Sequence, residues 1–187
     1  AGKIIFDGKE ITKMKPDTRC HLGIGRTYQV PRPFEGMSVY ENVLVAAVHG
    51  ANHSEKAGHD VVMKALEITE LTEKREILAG ELTLLDRKRM EIARALGTEP
   101  KLLLLDEVAA GLTEAEVQDV IKMVKNLKAA VIMLDSKDIE NFTACISKSR
   151  NIFFHLETVL DPDYSLSEDL AACYAFFRRQ ISQCART

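Results

Sequence analysis

Two adjacent acids, Asp106 and Glu107, follow the four consecutive leucines of residues 102–105. An apolar run without alternation is typical of a strand that is covered on both faces of a parallel sheet. Ligands bind at the carboxyl edge of such sheets, so both carboxylates would stand at a ligand-binding edge. This arrangement suits nucleotide hydrolysis: Asp106 would hold Mg²⁺, directly or through water, and Glu107 would orient the attacking water. The alternative is a strand that simply ends in solvated acids.

The elements that would position these acids alternate between strands and helices, which is typical of an α/β protein. Asp7-Gly8 predicts a hairpin of strands 3–6 and 9–11, because both turn residues must tolerate positive φ. Pro31 and Pro33 predict an extended connection, and the polar segment 49–59 predicts a loop. Further strands are predicted at 23–29 and 102–105, and helices at 37–48, 60–71, 83–96 and 113–127.

Three further segments accompany the acids. Gly-Ile-Gly-Arg-Thr-Tyr-Gln ends at Gln29, Phe-Glu-Gly-Met-Ser-Val-Tyr-Glu-Asn ends at Asn42, and Arg-Lys-Arg-Met-Glu-Ile-Ala-Arg-Ala-Leu ends at Leu96. In this order and spacing, residues 1 to about 128 resemble the ATP-binding subunits of ABC transporters, most nearly the branched-chain amino-acid importer type. The resemblance implies a partial P-loop NTPase-like (ABC ATPase) α/β layer structure over residues 1–130.

Candidate functional residues follow from this resemblance at matching positions. Gln29 matches the glutamine that reaches Mg²⁺ and couples the nucleotide site to the membrane subunits. Asp106 matches the Walker B acid and Glu107 the catalytic base, and residues 109–112 stand where the D-loop lies. Gln29 and Asp106 would therefore contact both Mg²⁺ and ATP. The implied protein drives solute import as a dimer of ATPase subunits beneath a pair of transmembrane permease subunits.

The segment at the place of the signature motif departs from the family pattern. Leu84 and Leu85 stand where glycines let the helix approach the γ-phosphate of a partner's ATP. The resemblance makes Thr83 a nucleotide-binding residue, but Thr83-x-x-Asp86 is also an N-cap pattern. We favour capping, because two leucines would obstruct the phosphate.

Two other features of the family are missing from the sequence. No G-x-x-x-x-G-K-[ST] motif occurs in the 187 residues, and residues 133–138, where the resemblance places the switch histidine, contain no histidine. The strand at 3–6 resembles the segment after that motif, so we expect the chain to begin just downstream of it. The backbone N–H groups and lysine of that loop supply most of the phosphate cradle. We therefore expect weak ATP binding and little or no hydrolysis by this chain alone.

The last fifty residues show a different pattern. From about residue 137 apolar residues recur at helical spacing, interrupted by Asp161-Pro162, which predicts a helical hairpin over 137–187. Segments 145–152 and 170–180 resemble the C-terminal half of the small chaperones that bind flagellin before its export. This second resemblance implies an apolar groove that binds a partner helix. The alternative is a hairpin that docks on the α/β part or covers a sheet edge.

The composition is that of an ordinary globular protein, with 46% hydrophobic residues, 28% charged residues and a net charge of -3. It indicates no general attraction to nucleic acid or to a membrane surface. No apolar run approaches the roughly 18 residues of a membrane span. The cysteines contain no C-x-x-C pair and indicate a reducing compartment, so we expect a cytoplasmic protein, peripheral to the inner face of the membrane. His49, His53 and His59 indicate a solvated loop rather than a metal site.

Three interpretations follow. The first is an ATP-binding subunit, or a fragment of one, from an ABC transporter for amino-acid import. The second is a non-enzymatic helical interaction protein of the flagellin-chaperone type, and the third is a recombined gene product without turnover. A loss of ATPase activity in Glu107→Gln would favour the first, and retention of a flagellin segment would favour the second.

Overall fold

The computed structural model describes residues 4–28, 30–106, 108, 110–125, 127 and 129–134. Gln29, Glu107 and the predicted hairpin over 137–187 lie outside these residues. Two short 3₁₀ helices, Thr72–Lys74 and Ala79–Glu81, accompany the main elements. Those elements, in chain order, are β1 (Ile5–Phe6), β2 (Lys9–Glu10), α1 (Pro16–His21), β3 (Ile24–Arg26), α2 (Val39–Gly50), α3 (Glu55–Ile68), α4 (Leu84–Gly97), β4 (Leu102–Asp106), α5 (Glu114–Lys125) and β5 (Ala130–Leu134).

The described sheet contains three parallel strands in the order β3-β4-β5. Leu103 lies at its centre, opposite Gly25 on one side and Val131 on the other. Leu103 and Leu105 are fully buried, whereas Leu102 and Leu104 keep partial exposure. The prediction of a parallel strand is confirmed, but among the described residues one face is covered more completely than the other.

Helix α4 joins two hydrophobic clusters. Met90 and Ala93 pack with α2 and α3 in the first cluster. Ile92 and Ala95 pack with β4 and α5 in the second. The helix is therefore buried on two sides, which fixes the helical layer against the sheet. The helical layer in turn supports the loop that follows β3.

Local signals placed several elements correctly. β1 and β2 form the predicted antiparallel hairpin, with φ of 51° at Asp7 and 74° at Gly8. The predicted loop over 49–59 is wrong at its end, because α3 begins at Glu55, where the Ser54 hydroxyl accepts a hydrogen bond from the third helical N–H. Helix α1 was not predicted, although Pro16 at its first position is a known start signal. No described helix is long and apolar enough to cross a membrane.

Replacement of Leu103 by alanine should lower the free energy of unfolding by about 2 to 5 kcal/mol, because it opens a cavity in the fully buried side of β4. Leu104→Ala is the matched control, since it removes the same atoms from the less buried face of the same strand. Urea denaturation followed by circular dichroism measures both changes. Equal losses for the two variants would contradict this description of the sheet.

Candidate functional site

The carboxyl ends of β3 and β4 are joined through Thr27. Its backbone N–H donates to the carbonyl oxygen of Leu104 at 3.0 Å, and its hydroxyl oxygen accepts from the backbone N–H of Asp106 at 3.1 Å. Thr27 is only 1% exposed, so water does not compete for these bonds. Asp106 is thereby held at the carboxyl edge of the sheet, as its sequence position predicts. Sequence reasoning missed Thr27, because nothing local shows which strand its hydroxyl will meet.

The chemistry at this edge suits a hard divalent cation. A carboxylate is among the oxygen ligands that Mg²⁺ binds, usually together with water and substrate phosphates. Asp106 is partly buried, and its main chain is fixed from the neighbouring strand. Asp106 therefore fits the part of a single protein ligand to Mg²⁺. Gln29 and Glu107 lie outside the described residues, and their roles as magnesium-binding glutamine and catalytic base stay predictions.

Thr83 is the N-cap of α4. Its hydroxyl accepts a hydrogen bond from the backbone N–H of Asp86 at 3.2 Å and donates to Oδ2 of the same residue at 2.8 Å. Lys74 Nζ donates to that Oδ2 at 2.6 Å. The predicted cap is confirmed. The hydroxyl is engaged in both directions, so the predicted contact between Thr83 and nucleotide has little support from the geometry.

The carboxylate of Asp86 belongs to the first turn of α4. Burial alone raises its pKa, but hydrogen bonds from Lys74 and Thr83, with the positive charges of Lys74 and Arg89, more than offset that effect and lower the pKa. The carboxylate is therefore charged at neutral pH. A helix N-terminus attracts anions, and Asp86 places a negative charge in that first turn. A phosphate would meet like charge at this point.

An apolar contact covers the same helix end. Leu84 is 46% exposed, and its Cδ2 lies 3.2 Å from where a Cβ on Gly111 would stand. Gly111 has a φ of 80°, which favours glycine. The structure thus brings the signature position beside the segment after Asp106, and it fills the contact with a leucine side chain rather than an open backbone. The apolar side chain of Leu84 therefore lies at the helix end, and contact of Thr83 with nucleotide stays a prediction.

Asn42 organises the loop before α2, a role that sequence reasoning missed. The side chain is fully buried. Its Oδ1 accepts from the backbone N–H of Phe34 at 2.9 Å, and its Nδ2 donates to the carbonyl oxygens of Phe34, Met37 and Ser38 at 3.1, 3.3 and 2.9 Å. A polar residue on the apolar side of a helix was the available signal. The backbone of Phe34 is therefore fixed at both of its polar groups.

The three histidines in and beside the predicted loop take part in separate contacts. His53 Nε2 lies 2.6 Å from Glu99 Oε2, and His59 Nδ1 lies 2.9 Å from the hydroxyl of Tyr40. His49 contributes its backbone carbonyl to a contact with another histidine ring. Across the part of the chain that the structure describes, no group of three or more metal-ligating side chains comes together.

A parallel sheet with a helical layer packed beside it defines the class of α/β proteins, which bind their ligands at the carboxyl edge where Asp106 lies. The family model described as ABC transporter matches residues 1–110. The chain belongs to the ABC transporter family. A second family model, flagellar protein FliS, matches residues 117–186, in agreement with the resemblance seen in the C-terminal sequence.

Curated relatives include ATP-binding proteins of different transporters. The probable branched-chain amino acid transport ATP-binding protein LivG of Methanocaldococcus jannaschii is 33% identical over 140 residues, covering 68% of this chain and 54% of the relative. The lipopolysaccharide export system ATP-binding protein LptB of Escherichia coli K12 is 30% identical over 148 residues, covering 78% of this chain and 61% of the relative. The chain therefore spans a little over half the length of these relatives.

Solved structures give the same fold. The ADP conformation of an ATP-binding cassette of an ABC transporter has a TM-score of 0.65 at 32% identity, covering 74% of this chain and 61% of that one. The cbiO1 protein of Clostridium perfringens, part of the ABC transporter complex cbiONQ, has a TM-score of 0.64 at 30% identity, covering 76% of this chain and 59% of that one. The expected partial P-loop NTPase-like α/β structure is confirmed.

Replacement of Asp86 by asparagine should destabilise the protein at neutral pH, because the buried acceptor of Lys74 and Thr83 loses its charge. A carboxyl whose pKa is lower in the folded state stabilises the protein above its unfolded pKa of about 3.9 and loses that contribution as pH falls through the folded value. The difference between wild type and Asp86→Asn should therefore shrink below about pH 4. Urea denaturation between about pH 3 and pH 7 measures it, with the exposed Asp119→Asn as control. A difference that is independent of pH would contradict the charged state of Asp86.

Proposed function

We propose that this chain is the nucleotide-binding part of an ABC transporter that imports amino acids, with branched-chain amino acids as the solute class. The observation that carries the proposal is Asp106, held at the carboxyl edge of the sheet by Thr27. The amino-acid class is supported by LivG and by the BraF protein of Pseudomonas aeruginosa, which is 33% identical over 142 residues. Other relatives are named for lipopolysaccharide export, so proteins similar to this chain work with more than one class of solute.

In the proposed reaction, Asp106 would hold Mg²⁺ at the sheet edge and Glu107 would orient the attacking water. Gln29 links the nucleotide site to the membrane subunits. Bound Mg²⁺ would neutralise charge on the ATP phosphates. Thr27 would contribute by fixing the backbone of Asp106, so that less of this residue has to be ordered when the cation binds.

The proposed partners are transmembrane permease subunits and a second ATPase subunit, at the cytoplasmic face of the inner membrane. An apolar surface of Phe34, Ile77 and Leu78 supports a permease contact, because all three side chains are exposed. The two segments that carry them are joined by backbone pairing, with Ser38 opposite Leu78 and the N–H of Val39 donating to the carbonyl oxygen of Ile77 at 2.9 Å. Their positions are thereby fixed relative to each other.

A fluorescent ATP analogue titrated with Mg²⁺ tests nucleotide binding. We expect a Kd no tighter than about 1 mM, equivalent to about -4 kcal/mol. The reason is that the 187 residues contain no phosphate-cradling G-x-x-x-x-G-K-[ST] loop. Asp106→Asn should remove the Mg²⁺-dependence of the signal, whereas the exposed Asp119→Asn should keep it. Micromolar binding would contradict the weak affinity, and no effect of Asp106→Asn would contradict the proposed cation site.

Hydrolysis is tested separately through Glu107. In a preparation that turns over ATP, Glu107→Gln should abolish release of phosphate while nucleotide binding is kept. An unchanged rate would remove the proposed catalytic base. No phosphate release by either the wild-type chain or Glu107→Gln would favour the interpretation of a recombined product without turnover.

The match of residues 117–186 to the FliS model favours a second candidate, a non-enzymatic protein that binds a partner helix of the flagellin type. A pull-down of the full chain with a flagellin C-terminal segment tests it, with retention expected at tens of micromolar. Phe177→Asp should abolish retention, because Phe177 lies on the apolar face of the predicted hairpin. Asp106→Asn should not affect retention. No retention by the wild-type chain would remove this candidate.

A further inference from the structure

The tripeptide Pro31-Arg32-Pro33 has one backbone N–H, because proline has none. That N–H, on Arg32, donates to Glu91 Oε1 at 3.3 Å, and the carbonyl oxygen of Arg32 accepts from Arg94 Nη1 at 2.9 Å. Both polar backbone groups of Arg32 are therefore bound by side chains of α4. The two prolines restrict the backbone on either side, so fixing Arg32 fixes the whole tripeptide.

Glu91 and Arg94 form an ion pair one helical turn apart. Arg94 Nη1 lies 2.9 Å from Glu91 Oε1, the same oxygen that accepts from Arg32. The side chains of Glu91 and Arg94 are only 5% and 21% exposed. The guanidinium carbon of Arg94 also lies 5.1 Å from the centre of the Phe34 ring. Arginine can bond a carbonyl, pair with a carboxylate and stack on a ring at once, whereas lysine cannot.

Two further anchors surround this contact. Asn42 of α2 binds both backbone groups of Phe34. On the other side, Thr27 is bound to β4. The four residues between Thr27 and Arg32 therefore join two fixed points, one on the sheet and one on the helical layer. Gln29 is one of these four residues in the sequence.

We propose that Glu91 and Arg94 are positioning residues: they hold the Arg32 backbone and the Phe34 ring against α4 and so set the path of the chain that leaves β3. The role of Gln29 rests on the proposed function. The holding of Arg32 and Phe34 rests on the described contacts alone. The pair acts through the backbone of Arg32, and neither side chain is assigned a contact with nucleotide.

The full chain offers two direct readouts. The Arg32 amide is the sole N–H between residues 30 and 34, so its hydrogen exchange by NMR reports the Glu91 bond alone. The sequence contains no tryptophan, so Phe34→Trp provides a single indole fluorophore beneath the Arg94 guanidinium. Arg94→Met removes the guanidinium that holds both the Glu91 carboxylate and the Arg32 carbonyl oxygen. The bond from the Arg32 N–H to Glu91 should loosen, so we expect this amide to exchange about tenfold faster relative to the core amide of Met90. When Arg94→Met is combined with Phe34→Trp, acrylamide should quench the introduced indole more strongly than in Phe34→Trp alone.

Arg94→Lys separates positioning from stability. It keeps a positive charge beside Glu91, so the urea midpoint should stay near that of wild type. Lysine lacks the planar guanidinium group. Arg94→Lys should therefore not restore the protection of the Arg32 amide from hydrogen exchange or of the introduced indole from quenching. Arg87→Met is the matched control: Arg87 also lies on α4 and donates to backbone carbonyls, those of Gly80 and Leu82 at 2.7 and 3.0 Å. Arg87→Met should leave the hydrogen exchange rate of the Arg32 amide unchanged.

Unchanged exchange and quenching in both Arg94 variants would overturn the inference. So would an equal effect of Arg87→Met, since that would show a general loosening of α4. Neither readout uses nucleotide. If the chain binds no ATP and the Arg94 variants still behave as expected, the proposed function fails and the positioning role stands.

Discussion

Helix α4 is buried on two sides, and the other features of the structure depend on that double packing. One side contacts α2 and α3, and the other contacts β4 and α5. Gly97 shows how close the approach is, because a Cβ there would lie 3.1 Å from the carbonyl oxygen of Val43. A helix held in this way carries side chains to fixed positions. Thr83 caps its start, and Glu91 and Arg94 reach the loop after β3 from its middle.

The candidate nucleotide region has two ends, the carboxyl edge of the sheet and the N-terminus of α4, and their side chains suit different ligands. The carboxyl edge of the sheet presents Asp106 in a fixed backbone, which suits a cation. The N-terminus of α4 carries a buried charged carboxylate, Asp86, and the exposed side chain of Leu84, which do not suit a phosphate. A carboxylate in a fixed backbone therefore lies at the sheet edge, whereas an acidic and an apolar side chain lie at the start of α4.

Helix α5 packs against the sheet, although the FliS match begins within this helix, at residue 117. Val120, Met123 and Val124 pack in the same cluster as Leu103 and Leu105. β5 then pairs with β4 along its full length. The match to the cbiO1 structure covers 76% of the chain, which is more residues than precede the start of the FliS match. The described part of the FliS-matched range, which reaches residue 134, thus belongs to the α/β fold.

The sequence by itself determined the features that depend on neighbouring residues. The hairpin at Asp7-Gly8, the cap at Thr83 and the acid-terminated strand β4 were all predicted, because each arises from local backbone or helical geometry. The start of α3 was placed too late, since the cap at Ser54 was not recognised within a polar segment.

Only the tertiary structure decided the contacts between distant segments. Thr27 and Asp106 are 79 residues apart, and Arg32 and Glu91 are 59 apart. Such pairs depend on strand order and on the packing of α4, and no local pattern encodes which hydroxyl or carboxylate will meet which backbone group. The structure also decided that Lys74, twelve residues before Asp86, donates to the same carboxylate oxygen that accepts from the Thr83 hydroxyl. The sequence showed which chemical groups each side chain carries, but the fold set which distant groups they contact.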